Sequence, residues 1–230
     1  MTRRFSSALL MVQVLAAVLL AVGVAAAQSY KVEKVTEAAP QELAPAVRQA
    51  LHGEALRVVG PNGTLCEIWL RKVVPAKATA TQELGIVYGQ LAEGTLVAAV
   101  RFPVEVKDYR RQRVKPGVYT LRYALVPVDG SHLGVAPQRD FLVAAPAAAD
   151  QSPDSLTRDA ALNLGRKTTG TSHPSVWSLS VAEPSGAPVI THQEDGDLWV
   201  LQFRVQMQSG NSSPSTVPMA LVVVGYALEA

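Results

Sequence analysis

The side chains best suited to chemistry gather between positions 129 and 140, in D-G-S-H-L-G-V-A-P-Q-R-D. Asp129 and His132 fall in a loop whose glycines, Gly130 and Gly134, let the backbone turn sharply. Arg139 and Asp140 open the strand that follows. A second loop carries His173 just before Pro174. Imidazole nitrogen with carboxylate oxygen is a donor set that suits zinc or copper. The expected metal ligands are therefore His132, Asp129, Asp140 and His173, with Arg139 as a cation that orients a bound ligand. No two histidines stand in H-x-H or H-x-x-x-H spacing, so such a site needs separate loops to converge. The plainer reading has His132 bonding its own loop and Arg139 pairing with Asp140 at a strand start.

Other schemes find less support. The chain has no G-x-S-x-G nucleophile elbow. Gly165 and Gly170 frame Arg166-Lys167-Thr168-Thr169, but no G-K-[ST] phosphate loop follows. A carboxylate pair for hydrolysis would have to be assembled in space from Glu67, Asp129, Asp140, Glu183 or Asp197, which spacing does not test. A metal-dependent or carboxylate-driven hydrolase using the 129–140 loop is the alternative to a binding or structural module. Cys66 is the only cysteine, so no intramolecular disulfide forms, and its apolar setting predicts a buried, inert thiol. The basic run Tyr109-Arg110-Arg111-Gln112-Arg113 reads as a solvated hairpin connection rather than a phosphate site. Trp69, Trp177 and Trp199 all fall on expected strands and read mainly as core, with a sugar-stacking surface as the other reading.

These residues must be positioned by strands. Val118 to Leu125 alternates, with Tyr119, Leu121, Tyr123 and Leu125 on the face expected to meet the core. Arg122, on the other face, implies either water or a carboxylate partner there, and the strand is read as antiparallel and half exposed. Further strand signals run through 55–60, 64–74, 84–89, 95–106, 175–182, 187–192, 198–207 and 216–226. A helix is expected near 41–51 and a second short one within 155–164. Many short strands without strand–helix alternation predict a mainly β fold, an antiparallel β-sandwich with one or two short helices.

Residues 1–27 read as a signal peptide: Arg3-Arg4, an apolar run, then Ala25-Ala26-Ala27 before Gln28. Residues 28–230 are expected to form a single domain, with an Ala/Pro-rich insertion at about 144–164 that reads as a linker or exposed segment. The chain holds 21 basic and 19 acidic residues; loss of the two leader arginines makes the exported protein neutral, which argues against a nucleic-acid partner. The expected location is periplasmic or secreted, with no membrane span after cleavage and a protein or glycan of the cell envelope as partner.

Three segments, E-I-W-L-R-K from Glu67, K-P-G-V-Y-T-L from Lys115 and D-G-S-H-L-G-V-A-P-Q-R-D-F-L-V from Asp129, together resemble an uncharacterised group of exported bacterial β-sandwich proteins. The resemblance covers about a third of the mature chain. It implies export and a β fold, and carries no activity with it.

Overall fold

The computed structural model describes residues 29–129, 136 and 138–227. Residues 1–28, His132 and most of the 129–140 loop lie outside the described residues. In chain order the elements are β1 (Lys31–Val35), α1 (Pro45–Ala50), β2 (Ala55–Gly60), β3 (Gly63–Leu70), β4 (Val74–Ala76) and β5 (Leu96–Phe102). A small hairpin follows, β6 (Val106–Lys107) and β7 (Arg113–Val114), then β8 (Gly117–Leu125) and β9 (Asp140–Pro146). The last part comprises α2 (Arg158–Thr169), β10 (Trp177–Ser180), β11 (Val189–Gln193), β12 (Leu198–Ser209) and β13 (Ser215–Val224).

The mainly β expectation holds, with two helices. The all-antiparallel sandwich needs correction. The principal sheet is one hydrogen-bonded path, β1-β2-β3-β5-β8-β9-β10-β13-β12-β11. Its corner is β10, which pairs with β9 through Trp177 and Ser178 and with β13 through Leu179 and Ser180. The sheet then curls until its far half meets the near one. There β4, which continues from β3, runs parallel to β12, with Val74 opposite Met207. Tyr30, just before β1, packs on Trp199 of β12 with ring centroids 4.9 Å apart.

The alternation in the strands decides what lies inside the curl. Tyr119, Leu121 and Tyr123 of β8 share one core with Leu142 of β9, Val100 and Phe102 of β5, Phe203 of β12 and Leu221 of β13. That is the face the sequence assigns to the core. Cys66 is buried there too, and loss of solvent pushes its thiol well above the ordinary range. The two helices cover parts of the outer faces. Helix α1 lays Val47, flanked by Leu43 and Leu51, onto Trp69, Leu96 and Ala99. Helix α2, capped by the Thr157 side chain and ended by Gly170 at φ 69°, lays Leu162 over Ala124, Phe141 and Val143. Its Gly165 sits so close to the sheet that a Cβ would lie 2.4 Å from Val143 Cγ1, so only glycine allows this approach.

The half-exposed reading of β8 is also corrected. Arg122 is fully buried, and the Ala/Pro-rich stretch after β9 covers it instead of projecting into water. All five of its N–H groups are used. Nε and Nη2 donate to the two Asp150 carboxylate oxygens at 2.6 and 2.8 Å, Nη2 also donates to Ser152 O, and Nη1 donates to Gly94 O and Asp154 O. Thr120 Oγ1 donates to the same carboxylate. Gly94, at φ 82°, receives Leu156 N–H on its carbonyl, and a Cβ there would clash with Leu156 O. The carboxylate partner anticipated for Arg122 is thus Asp150, and the pair straps 147–156 across the sheet.

A second ion network lies on the outer face of β2-β3-β5. Glu67, almost fully buried, accepts from Arg57 Nε at 2.8 Å and Arg101 Nε at 2.6 Å, and Glu37 bridges the same two arginines. Burial alone would raise the Glu67 carboxyl, but the hydrogen bonds and charges of the two arginines outweigh it and hold the group below the usual range. A depressed carboxylate adds stability that is present above the unfolded value of about 4.3 and is lost as pH falls through the lower folded value. Urea unfolding from pH 7 down to pH 3 checks this. The stability gap between the native protein and Glu67→Gln is expected to narrow below about pH 4.3, and a constant gap would contradict the assignment.

Candidate ligand-binding cleft

Where β8 and β9 emerge from under α2, the outer surface opens into a cleft of about 670 Å³. Its floor is apolar: Leu125, Phe141, Leu162 and Val176, joined by Pro127 and Pro174. Its rim is basic. Arg158 and Arg166 come from α2, eight residues apart on one side of the helix, and Arg110 and Arg111 from the turn between β6 and β7, with His173 beside them. The lining includes one carboxylate among the described residues, Asp140.

The β6–β7 turn forms a wall of this cleft because Asp108 docks it. The Asp108 carboxylate, fully buried, accepts from the backbone N–H groups of Arg110 and Gln112 and of Val176 across the cleft, and from the Gln112 side-chain amide. Burial pushes this carboxyl above its ordinary range, against the pull of those four donors. Gln112 Nε2 also donates to Pro174 O, and Tyr109 exchanges backbone hydrogen bonds with Val176 and Ala227. Thus clamped, the turn holds Arg111 at φ 62°, uncommon for a residue with a side chain, and its guanidinium lies 5.3 Å from the Tyr226 ring centroid.

The sequence-derived site residues separate. Asp140 and His173 both line the cleft. Asp140 is buried; its Oδ1 accepts from Tyr88 N–H at 2.9 Å and Tyr123 O–H at 2.7 Å, and its Oδ2 from Val87 N–H at 2.8 Å. With both Oδ1 lone pairs used, it anchors the 87–88 segment to the mouth of β8 and β9. Burial and donation to this carboxylate push the Tyr123 hydroxyl far up. His173 is exposed, with Nδ1 3.4 Å from Arg110 Nη1. Arg139 turns to its own surroundings, donating from Nε to Val126 O and from Nη1 to Glu83 at 2.7 Å. Asp129 is exposed at the start of the loop, and His132 lies outside the described residues. Among the described residues no group of three or more histidine, cysteine, aspartate or glutamate side chains is placed to hold a metal ion.

Of the tryptophans, Trp69 and Trp177 are buried. Trp199 is half exposed, but His192 stacks on it at 4.4 Å, so one ring face is already covered. Among the described residues no helix is long and apolar enough to cross a membrane. Sequence reasoning missed Arg158, Arg166 and Asp108. The signal available for Asp108 was the Asp-x-x-x-Gln spacing to Gln112, which suits a turn closed by a carboxylate.

Comparison with protein-family models, with curated proteins and with solved structures returns no match.

Proposed function

We propose that this chain is an exported binding module whose ligand occupies the cleft above β8 and β9. The carrying observation is the cleft itself: about 670 Å³, within the usual size of small-molecule sites, with an apolar floor and a few polar groups converging at its rim. Its acidic lining residue, Asp140, already meets three donors, which suits a structural anchor better than a general base. Export rests on the basic, apolar and A-x-A pattern of residues 1–27, and places the protein in the periplasm or outside the cell. A partner within the cell envelope would be consistent with that location.

The second reading is a metal site, or a hydrolase built on one, from Asp129, His132, Asp140 and His173. One observation favours it: His173 and Asp140 line the same cleft. Metal content of the purified protein, with thermal melting before and after chelation, separates the two. The binding reading predicts substoichiometric zinc and copper and unchanged melting. Near-stoichiometric metal, with a melting temperature lowered by chelation and uptake abolished in His132→Ala, would overturn it in favour of the metalloprotein.

A further inference from the structure

The charge and lining of the cleft point to its ligand class: a small amphiphilic anion, an alkyl or aryl carboxylate or phosphate monoester, with its body on the apolar floor and its head among the rim arginines. This inference rests on the cleft being the binding site. Phe141 and Leu162 of the floor are almost fully buried, and Val176 and Leu125 extend the same apolar surface toward the opening. A ligand seated there removes that surface from water, so its own body must be apolar.

The head follows from how the rim cations are partnered. Arg166 donates from Nε to Ser172 O at 2.9 Å and from Nη1 to Asn163 Oδ1 at 2.5 Å, both neutral acceptors. Arg110 Nη1 lies 3.4 Å from His173 Nδ1. Among the described residues neither arginine pairs with a carboxylate. Arg158 does, with Glu93 at 3.1 Å, and Arg111 lies over Tyr226. Among the described residues, the lining sets Arg110 and Arg166 against one carboxylate, Asp140, already engaged by three donors. A neutral ligand would strip water from these cations without replacing it, and a cationic one would be repelled. A carboxylate or phosphate meets guanidinium forks with two parallel hydrogen bonds, the strongest pairing available to arginine. The cleft is bounded by α2, the β6–β7 turn and the sheet, and its volume of about 670 Å³ suits a compact ligand rather than an extended polyanion.

Isothermal titration of the purified protein, below the aggregation concentration of each ligand, compares dodecanoate and dodecyl phosphate with dodecanol and dodecylammonium. The expected result is saturable one-to-one binding of at least one anion, at least about tenfold tighter than dodecanol, weakening as salt rises. Whichever anion binds more tightly identifies the head as carboxylate or phosphate. Arg110→Gln and Arg166→Gln should each weaken it about tenfold, about 1.4 kcal/mol, while Arg204→Gln, on the exposed face of β12, should leave it unchanged. Since Arg166 also ties Ser172, Arg110→Glu, at an exposed position, carries the charge test should the Arg166 variant melt early. Dodecanol or dodecylammonium binding as tightly as the anions would overturn the charge assignment while sparing the cleft as a site. Binding of none of the four would overturn both.

Discussion

Asp150→Ala is expected to cost about 3–5 kcal/mol of folding stability, the penalty for removing one member of a buried ion pair. Arg122 is fully buried, and Asp150 takes both its Nε and one of its Nη2 protons. Without that carboxylate the guanidinium stays charged, since arginine does not neutralise in proteins, and keeps only the Gly94, Ser152 and Asp154 carbonyls. The 147–156 strap should loosen with it. Urea unfolding measures the loss, and the double variant Arg122→Met/Asp150→Ala should recover part of it because the orphaned charge is gone. A loss under about 1 kcal/mol, the size of an exposed pair, would mean that the strap does not seal the pair from water.

Asp140→Ala is expected to lower stability by about 3 kcal/mol or more, because it leaves three donors without an acceptor and each buried orphan costs roughly 1–3 kcal/mol. Those donors are the backbone N–H groups of Val87 and Tyr88 and the Tyr123 hydroxyl. Tyr88 also ties the two halves of the curl, donating its hydroxyl to Ser180 O and accepting from Ala220 N–H. Release of the 87–88 segment should therefore be felt at β10 and β13 as well as at the cleft. Asp140→Asn should cost less, since its carbonyl oxygen still accepts. Denaturant unfolding separates this from the metal reading: if Asp140 served chiefly as a ligand, either substitution would leave the metal-free protein nearly as stable as before.

How much of this was legible in the sequence depended on how local each feature is. The alternation of β8 assigned Tyr119, Leu121 and Tyr123 to the core, and Arg122 announced a partner without naming it. The partner lies 28 residues on, in an Ala/Pro-rich run whose composition resembles a linker. Nothing local shows that it is held by four hydrogen bonds from one guanidinium. The sequence pattern suggests a short helix within 155–164, but α2 runs from Arg158 to Thr169, because Gly170 supplies the left-handed cap while the threonines before it look like loop. The curl of the sheet is set by pairings such as β4 with β12, which no single-segment pattern reveals.

The site was legible in the same uneven way. Asp140 and His173 were picked out as polar groups beside loops, and both line the cleft. Arg110 and Arg111 looked like an ordinary solvated turn. Their place at the cleft depends on Asp108 reaching Val176, 68 residues away. Arg158 and Arg166 had no motif around them. Their role appears only once the helix is laid across the sheet.

Perturbation of backbone amide resonances on titration with dodecanoate and dodecyl phosphate tests directly whether the ligand sits above β8 and β9. Saturable shifts are expected at residues 109–111, 125–126, 158–166 and 172–176, around the cleft. Shifts gathered instead at the seam of the curl, around Tyr30, His192 and Trp199, or scattered without saturation, would contradict the placement of the ligand above β8 and β9.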